Sequence, residues 1–246
     1  AGKLRVDGTT YGTTGSSSVF IEGAGFHAEN ITFENSADES KITDGAQAVA
    51  VRTAADRLVF KNCRFLGNQD TLYVRSGRQY FVNCHVEGDT DFIFGEGPAW
   101  FEDCKIHSLD KPGTTKGYIT ASSTPESFTF GYVFHKCTLT AAAGVGQNTV
   151  FLGRTWHATT ARSPIKGTVA FLYCTLGEHI KTVGWTYMDA AYPVPTERLR
   201  EYRNIGPGAG GVHSNRVQLT EEEARQYTLK NVLGGTDNWD PTIPLY

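Results

Sequence analysis

Hydrophobic and polar positions along this chain fall into a phrase that recurs. Phe60-Lys61-Asn62-Cys63-Arg64-Phe65 returns as Phe81-Val82-Asn83-Cys84-His85-Val86, and in looser form around Cys104, Cys137 and Cys174. Each of the five cysteines follows a phenylalanine by three positions and precedes an apolar residue by two: Phe65, Val86, Ile106, Leu139 and Leu176. The residues between them, Arg64, His85, Lys105, Thr138 and Thr175, are polar. Such alternation is the period of a half-buried strand, so cysteine and its i+2 partner face inward. Asn62, Asn83 and Asp103, just before the cysteine, read as coil corners, where Asn and Asp satisfy turn backbone groups. A corner there also lets the preceding phenylalanine point inward.

The cysteines lie 21, 20, 33 and 37 residues apart. A period of about 20 residues is that of a stacked solenoid coil. The two longer intervals carry insertions, one of them the Lys/Pro/Gly-rich stretch 107–118. Insertions from a solenoid gather on one face, often the binding face. Ile31-Thr32-Phe33 is an earlier copy, with Ile31 in the cysteine's place. Residues 1–18 are rich in Gly, Thr and Ser with a weak strand pattern, and residues 19–33 read as two short strands around a turn at 22–25. After Leu176 the repeat fades, and 184–211 reads as loop. Thr220-Glu221-Glu222-Glu223 is a capping box opening a short helix toward Leu233. Gly234-Gly235 would end that helix, which would cap the solenoid's exposed end. An aromatic tail with Trp239 and Tyr246 follows. The chain, 1–246, thus reads as one all-β domain.

Composition sharpens this picture only modestly. Of 246 residues, 39% are hydrophobic, and no run approaches the length of a membrane-spanning helix. A net charge of −3 argues against a nucleic-acid partner, which calls for a basic patch. The cysteines read as stacked core thiols. Strand spacing also leaves a Cys84–Cys104 bridge within reach in an oxidising compartment. Their spacing gives no zinc motif.

Candidate chemistry lies seven residues beyond two successive cysteines, at Asp70 and Asp91. Equal phase on adjacent coils places their carboxyls roughly 5 Å apart. Two acids so close cannot both ionise easily. One pKa is expected to fall and the other to rise, leaving an ionised attacker and a protonated acid near neutral pH. Phe92-Ile93-Phe94-Gly95 reads as an apolar wall beside them. Gln69, adjacent to Asp70, and Gln47, one coil upstream, are neutral donors suited to an oxyanion. Arg154, on an Arg-Thr-Trp turn, would keep one aspartate ionised.

GNQDTLY (67–73), DFIFG (91–95), QAVAVR (47–52) and LGRTW (152–156) resemble the four signature segments of the pectin methylesterases. The resemblance runs from about residue 19 to the C-terminal helix, where TEEEARQYT and VLGG are more similar to bacterial members. It implies a right-handed parallel β-helix and cofactor-free hydrolysis of galacturonate methyl esters in pectin, by a secreted or periplasmic monomer. By motif match, Asp91 resembles the nucleophile, Asp70 the general acid/base, and Gln47 and Gln69 the oxyanion donors. Arg154 resembles the group orienting the nucleophile and Trp156 a sugar-stacking residue, with Tyr73 and Phe94 lining the groove. Two departures stand out. Thr155 replaces the family's usual proline, which is expected to loosen that turn. A Gly-x-Tyr-x-Glu strand has no match, so the chain is expected to lack the usual first coils. A carboxyl gap near 5 Å also suits a retaining glycosidase, and a non-catalytic carbohydrate-binding solenoid would need only the aromatics. The absence of a G-x-S-x-G elbow disfavours a serine esterase.

Overall fold

The computed structural model describes residues 1–42, 44–158, 161 and 163–243. Its strands form three parallel sheets, and each coil visits them in the same order. One coil runs through Val51–Ala54, Leu58–Lys61 and Arg64–Leu66; the next through Leu72–Ser76, Gln79–Val82 and His85–Gly88; the third through Thr90–Gly95, Ala99–Glu102 and Lys105–Ser108. Among the described residues, the first and second sheets have seven strands and the third has six. This is a parallel β-helix, the solenoid that the repeat predicts in the form that the resemblance implies.

The repeated phrase explains the stacking. Pairing is in register, with Phe60 opposite Phe81 and Phe101 opposite Phe134. Centroids of Phe60, Phe81, Phe101, Phe134 and Phe171 lie 4.8, 4.6, 4.6 and 4.4 Å apart along the axis, with planes within 9° of parallel. Each such pair contributes about 1 kcal/mol beyond its buried area. The corner between second and third sheets is left-handed in every coil: Asn30, Asn62, Asn83, Asp103, Lys136, Tyr173 and Arg203 all have φ between 48° and 59°. Asparagine tolerates that conformation best, and Asn83 Nδ2 donates to Asn62 Oδ1 of the coil before it at 2.7 Å.

The five thiols are buried and free. Each sulfur sits beneath the preceding coil's backbone: Cys84 Sγ lies 3.4 Å from Phe60 O, Cys104 Sγ 3.5 Å from Phe81 O and Cys174 Sγ 3.3 Å from Phe134 O. The Cys84–Cys104 bridge that spacing allows is therefore not formed. Each thiol instead donates to a carbonyl of the coil before it. Burial pushes the Cys104 and Cys137 thiols well up, so they stay protonated.

Several local expectations are corrected. Residues 19–34 hold three strands, Val19–Ile21, His27–Glu29 and Thr32–Glu34, one for each sheet. Gly12–Gly15 forms one helical turn rather than strand, tied to the body where Asn35 Nδ2 donates to Ser16 O and Val49 O at 2.9 Å. Trp185, within the stretch 184–211 that reads as loop, is fully buried in the strand Trp185–Tyr187. Thr155 ends the strand Val150–Thr155 and is buried, so no loosened turn results. The C-terminal helix is two pieces, Glu221–Ala224 and Leu229–Leu233. The first opens on the expected capping box; Thr228 caps the second, and that break lets Val232 and Leu233 turn onto the second sheet's outer face, against Trp100 and Trp239. Tyr246 lies outside the described residues.

Gly95 closes the DFIFG segment with φ of +120°, and a Cβ there would stand 2.2 Å from Val74 O. Only glycine meets both demands. Gly95→Ala is expected to cost about 3 kcal/mol, read as a lowered denaturant midpoint at unchanged m-value.

Candidate active site

The outer face of the first sheet carries the site. Its strands pair Ile93 with Leu72, Phe94 with Tyr73 and Gly95 with Val74. The same 21-residue offset, carried back two positions, sets Asp91 beside Asp70. Both aspartates adopt the left-handed conformation, φ 65° at Asp70 and 51° at Asp91. That turn at the entry to each strand aims both side chains outward. It also changes the DFIFG reading: Phe92 and Ile93 both face the core, and only Phe94 reaches the outer surface.

Asp70 and Asp91 line one cleft of about 540 Å³ with Gln47, Gln69, Tyr73, Phe94, Arg154 and Trp156. All eight residues singled out from the sequence thus converge. Thr13, Thr14 and Met188 also border this cleft. Nothing in their sequence context marked them, because they arrive from a helical turn and a loop outside the repeat. A neighbouring cleft of about 570 Å³, lined by Lys41, Asp44 and Ala48, holds neither aspartate.

Arg154 fixes the geometry. It lies on a strand rather than the expected turn, and grips Asp91 with both arms: Nε to Oδ1 at 3.0 Å and Nη2 to Oδ2 at 2.8 Å. Its guanidinium carbon sits 3.9 Å from the Tyr118 ring centroid. Tyr118, missed in the sequence, thus packs the arginine's open face.

The acids are electrically unequal, though not as expected. Burial pushes the Asp70 carboxyl well above the usual range, and the neighbouring Asp91 charge pushes it further. Burial also raises Asp91, but the Arg154 fork opposes that rise. The fall expected for one of the two does not occur: repulsion lowers neither carboxyl, and desolvation of both sites raises the pair together. The two remain unequal, Asp70 being raised well above its ordinary value and Asp91 being the one that the arginine pairs with.

Aromatic rings floor the cleft. Tyr73 and Phe94 stack at 4.3 Å, and Trp156 meets Phe94 at 6.0 Å, tilted by 57°. Behind Trp156, the His157 ring stacks on Tyr192 at 3.6 Å and its Nε2 lies 3.2 Å from Glu197 Oε1. His157, given no role from sequence, ties the 188–192 loop to the tryptophan's own segment.

Fold and site together define a class: a parallel β-helix with a buried two-carboxylate centre, braced by arginine, in an aromatic-floored groove. The profile of the family described as Pectinesterase matches residues 1–236. Pectinesterase 31 of Arabidopsis thaliana is 43% identical over 228 residues, covering 91% of this chain and 65% of the relative. Pectinesterase A of Dickeya chrysanthemi is 36% identical over 277 residues, covering 99% and 74%. Among solved structures, the pectin methylesterase PemA from Erwinia chrysanthemi superimposes with a TM-score of 0.91 at 34% identity, covering 99% of this chain and 79% of that one. A pectin methylesterase variant crystallised with a hexasaccharide superimposes at 0.88, also at 34% identity and with the same coverage. The chain belongs to the pectinesterase family. It spans just under two thirds of the Arabidopsis relative's length.

Proposed function

We propose that this chain hydrolyses the methyl esters of galacturonate units in pectin, outside the cell membrane, releasing methanol. The observation that carries the reading is the bidentate Arg154–Asp91 pair beside a buried, proton-holding Asp70. Membership of the pectinesterase family supports it.

In this reading, Asp91, held ionised by Arg154, attacks the ester carbonyl carbon. The carbonyl oxygen takes the charge and accepts hydrogen bonds from the amides of Gln47 and Gln69. As the tetrahedral centre collapses, the bond to the methoxy oxygen breaks and Asp70 passes it a proton, so methanol leaves. A mixed anhydride on Asp91 remains. Asp70, now ionised, takes a proton from water as the water oxygen adds to the anhydride carbonyl. Collapse breaks the bond to Asp91 and regenerates its carboxylate; the freed galacturonic acid gives its own proton to solvent and leaves as galacturonate, with Asp70 protonated again. Tyr73, Phe94 and Trp156 offer stacking faces to sugar rings.

Gln69→Ala is expected to slow methanol release by roughly two orders of magnitude, the effect of losing one oxyanion donor, with KM nearly unchanged. A drop confined to KM would remove the glutamine from this role. The rate should trace a bell against pH, its limbs belonging to the coupled pair. The acid limb follows ionisation of Asp91 and the alkaline limb deprotonation of Asp70. Both carboxyls are raised, so the bell is expected to lie above the range of ordinary carboxylates.

The direct test is methanol release from methylated polygalacturonate, alongside a reducing-end assay. Methanol without new reducing ends is expected. New reducing ends without methanol would reject ester hydrolysis in favour of chain cleavage.

A further inference from the structure

Two residues before Asp91 stands a third acid that the proposed reaction does not use. Asp89 is 1% exposed, and neither carboxylate oxygen has a hydrogen-bond partner among the described residues. Its backbone is fixed on both sides, N–H to Asn68 O at 3.2 Å and O from Tyr118 N–H at 2.9 Å. The nearest cation among the described residues is Lys111, whose Nζ is 4.0 Å from Oδ1 and spends its short bond, 2.6 Å, on Thr90 Oγ1. An isolated buried carboxylate left this way is strongly disfavoured.

The missing donor is on the page. The short helix Glu39–Lys41 is held over this spot because Asn68 Nδ2 donates to Ala37 O at 3.2 Å. It sets Glu39 beside Asp89, whose contact and charge, with burial, raise the Glu39 carboxyl. Two carboxylates cannot bond to each other, whereas a carboxyl and a carboxylate can.

We propose that Glu39, carrying the proton, donates it in a hydrogen bond to Asp89 behind the catalytic aspartates, and that this pair sets the charge the groove presents to an anionic polymer. The inference rests on the ester-hydrolysis reading above. Every neighbouring charge fits it. Lys111 faces the pair from the inserted loop, and Asp70 and Asp91 face it from their strand entries. Lys41 and Lys116 are engaged elsewhere, with Asp38 at 2.9 Å and Asp110 at 2.8 Å. Burial and the Asp89 contact push Glu39 up to about 7. As pH rises through that value the proton leaves, the pair carries two charges against one lysine, and the groove becomes more negative beside its reacting centre. A partly de-esterified pectin is itself an anion, so its binding weakens.

A folded-state carboxyl raised in this way favours the native state most below its unfolded pKa, and that advantage disappears as pH rises through the folded value. Stability should therefore fall between the ordinary glutamate range and about 7.

The test compares wild type with Glu39→Gln, whose amide N–H reproduces the donor of the protonated state without titrating. First, carbon NMR of protein labelled at its Glu and Asp carboxyls is followed with pH. A titration near 7 in wild type, absent in Glu39→Gln and displaced in Asp89→Asn, is the expected result. Second, KM for partly methylated polygalacturonate is expected to rise about fivefold through that window in wild type and to stay level in Glu39→Gln. Absence of the NMR titration would overturn the protonated Glu39. A titration present with KM profiles that superimpose would overturn its role in substrate binding. If wild type released no methanol at all, the ester-hydrolysis reading would fail, while the NMR arm would still decide the proton.

Discussion

Asp91→Asn is expected to reduce methanol release by roughly four orders of magnitude or more, with little loss of stability. The amide keeps the shape of the carboxylate but not its lone-pair nucleophile, so no anhydride forms. Arg154 then loses one ionic partner in a site where its guanidinium still packs on Tyr118 at 3.9 Å. The buried acid it replaces was itself raised by desolvation, so removing that charge relieves part of a cost. Methanol release under saturating substrate, together with thermal unfolding, measures both. Activity within tenfold of wild type would transfer the nucleophile's role elsewhere.

Arg154→Ala carries the second largest effect and should act on the fold as well as on the rate. It strands Asp91, 8% exposed in its side chain, without the fork that holds it at 3.0 and 2.8 Å. Breaking one side of such a pair costs about 3–5 kcal/mol. The Asp91 carboxyl then rises further, because burial pushes it up and the main opposing charge is gone. A raised carboxyl needs a higher pH to ionise. The acid limb of the rate profile is therefore expected to move toward alkaline pH, with activity at neutral pH down by about three orders of magnitude. Arg154→Lys restores the charge without the planar fork and should recover part of the pH shift but little of the rate. An acid limb unmoved in Arg154→Ala would show that Asp91 does not depend on this arginine for its charge.

Legibility in the sequence followed the repeat closely. Phe60, Phe81 and Phe101 with Cys63, Cys84 and Cys104 declare strand, corner and inward face, because in-register stacking places like above like. The same periodicity made Asp70 and Asp91 neighbours on paper. Where the period was interrupted, reading failed. Trp185 and Thr155 were misplaced because parallel pairing continues into segments whose phrase has faded. The 12–15 turn and Met188 gave no signal, since their place depends on long-range ties such as Asn35 to Ser16 and Val49. Asp89 was visible as one more acid in Asp89-Thr90-Asp91, yet its burial was not, because alternation there is broken by the left-handed turn at Asp91.

The sequence by itself determined the coil, its stacking order and the shared phase of the two acids. These follow from a repeated local pattern, and a parallel ladder propagates whatever one coil specifies to the next. The tertiary structure decided which acid keeps its proton, which rings face the groove and what lies behind the reacting centre. Those outcomes depend on desolvation and on charges brought from distant segments: Arg154 from a strand 63 residues away from Asp91, Lys111 from an insertion, and Glu39 from a loop. No local pattern carries such information, because burial of a charge is a property of everything packed around it.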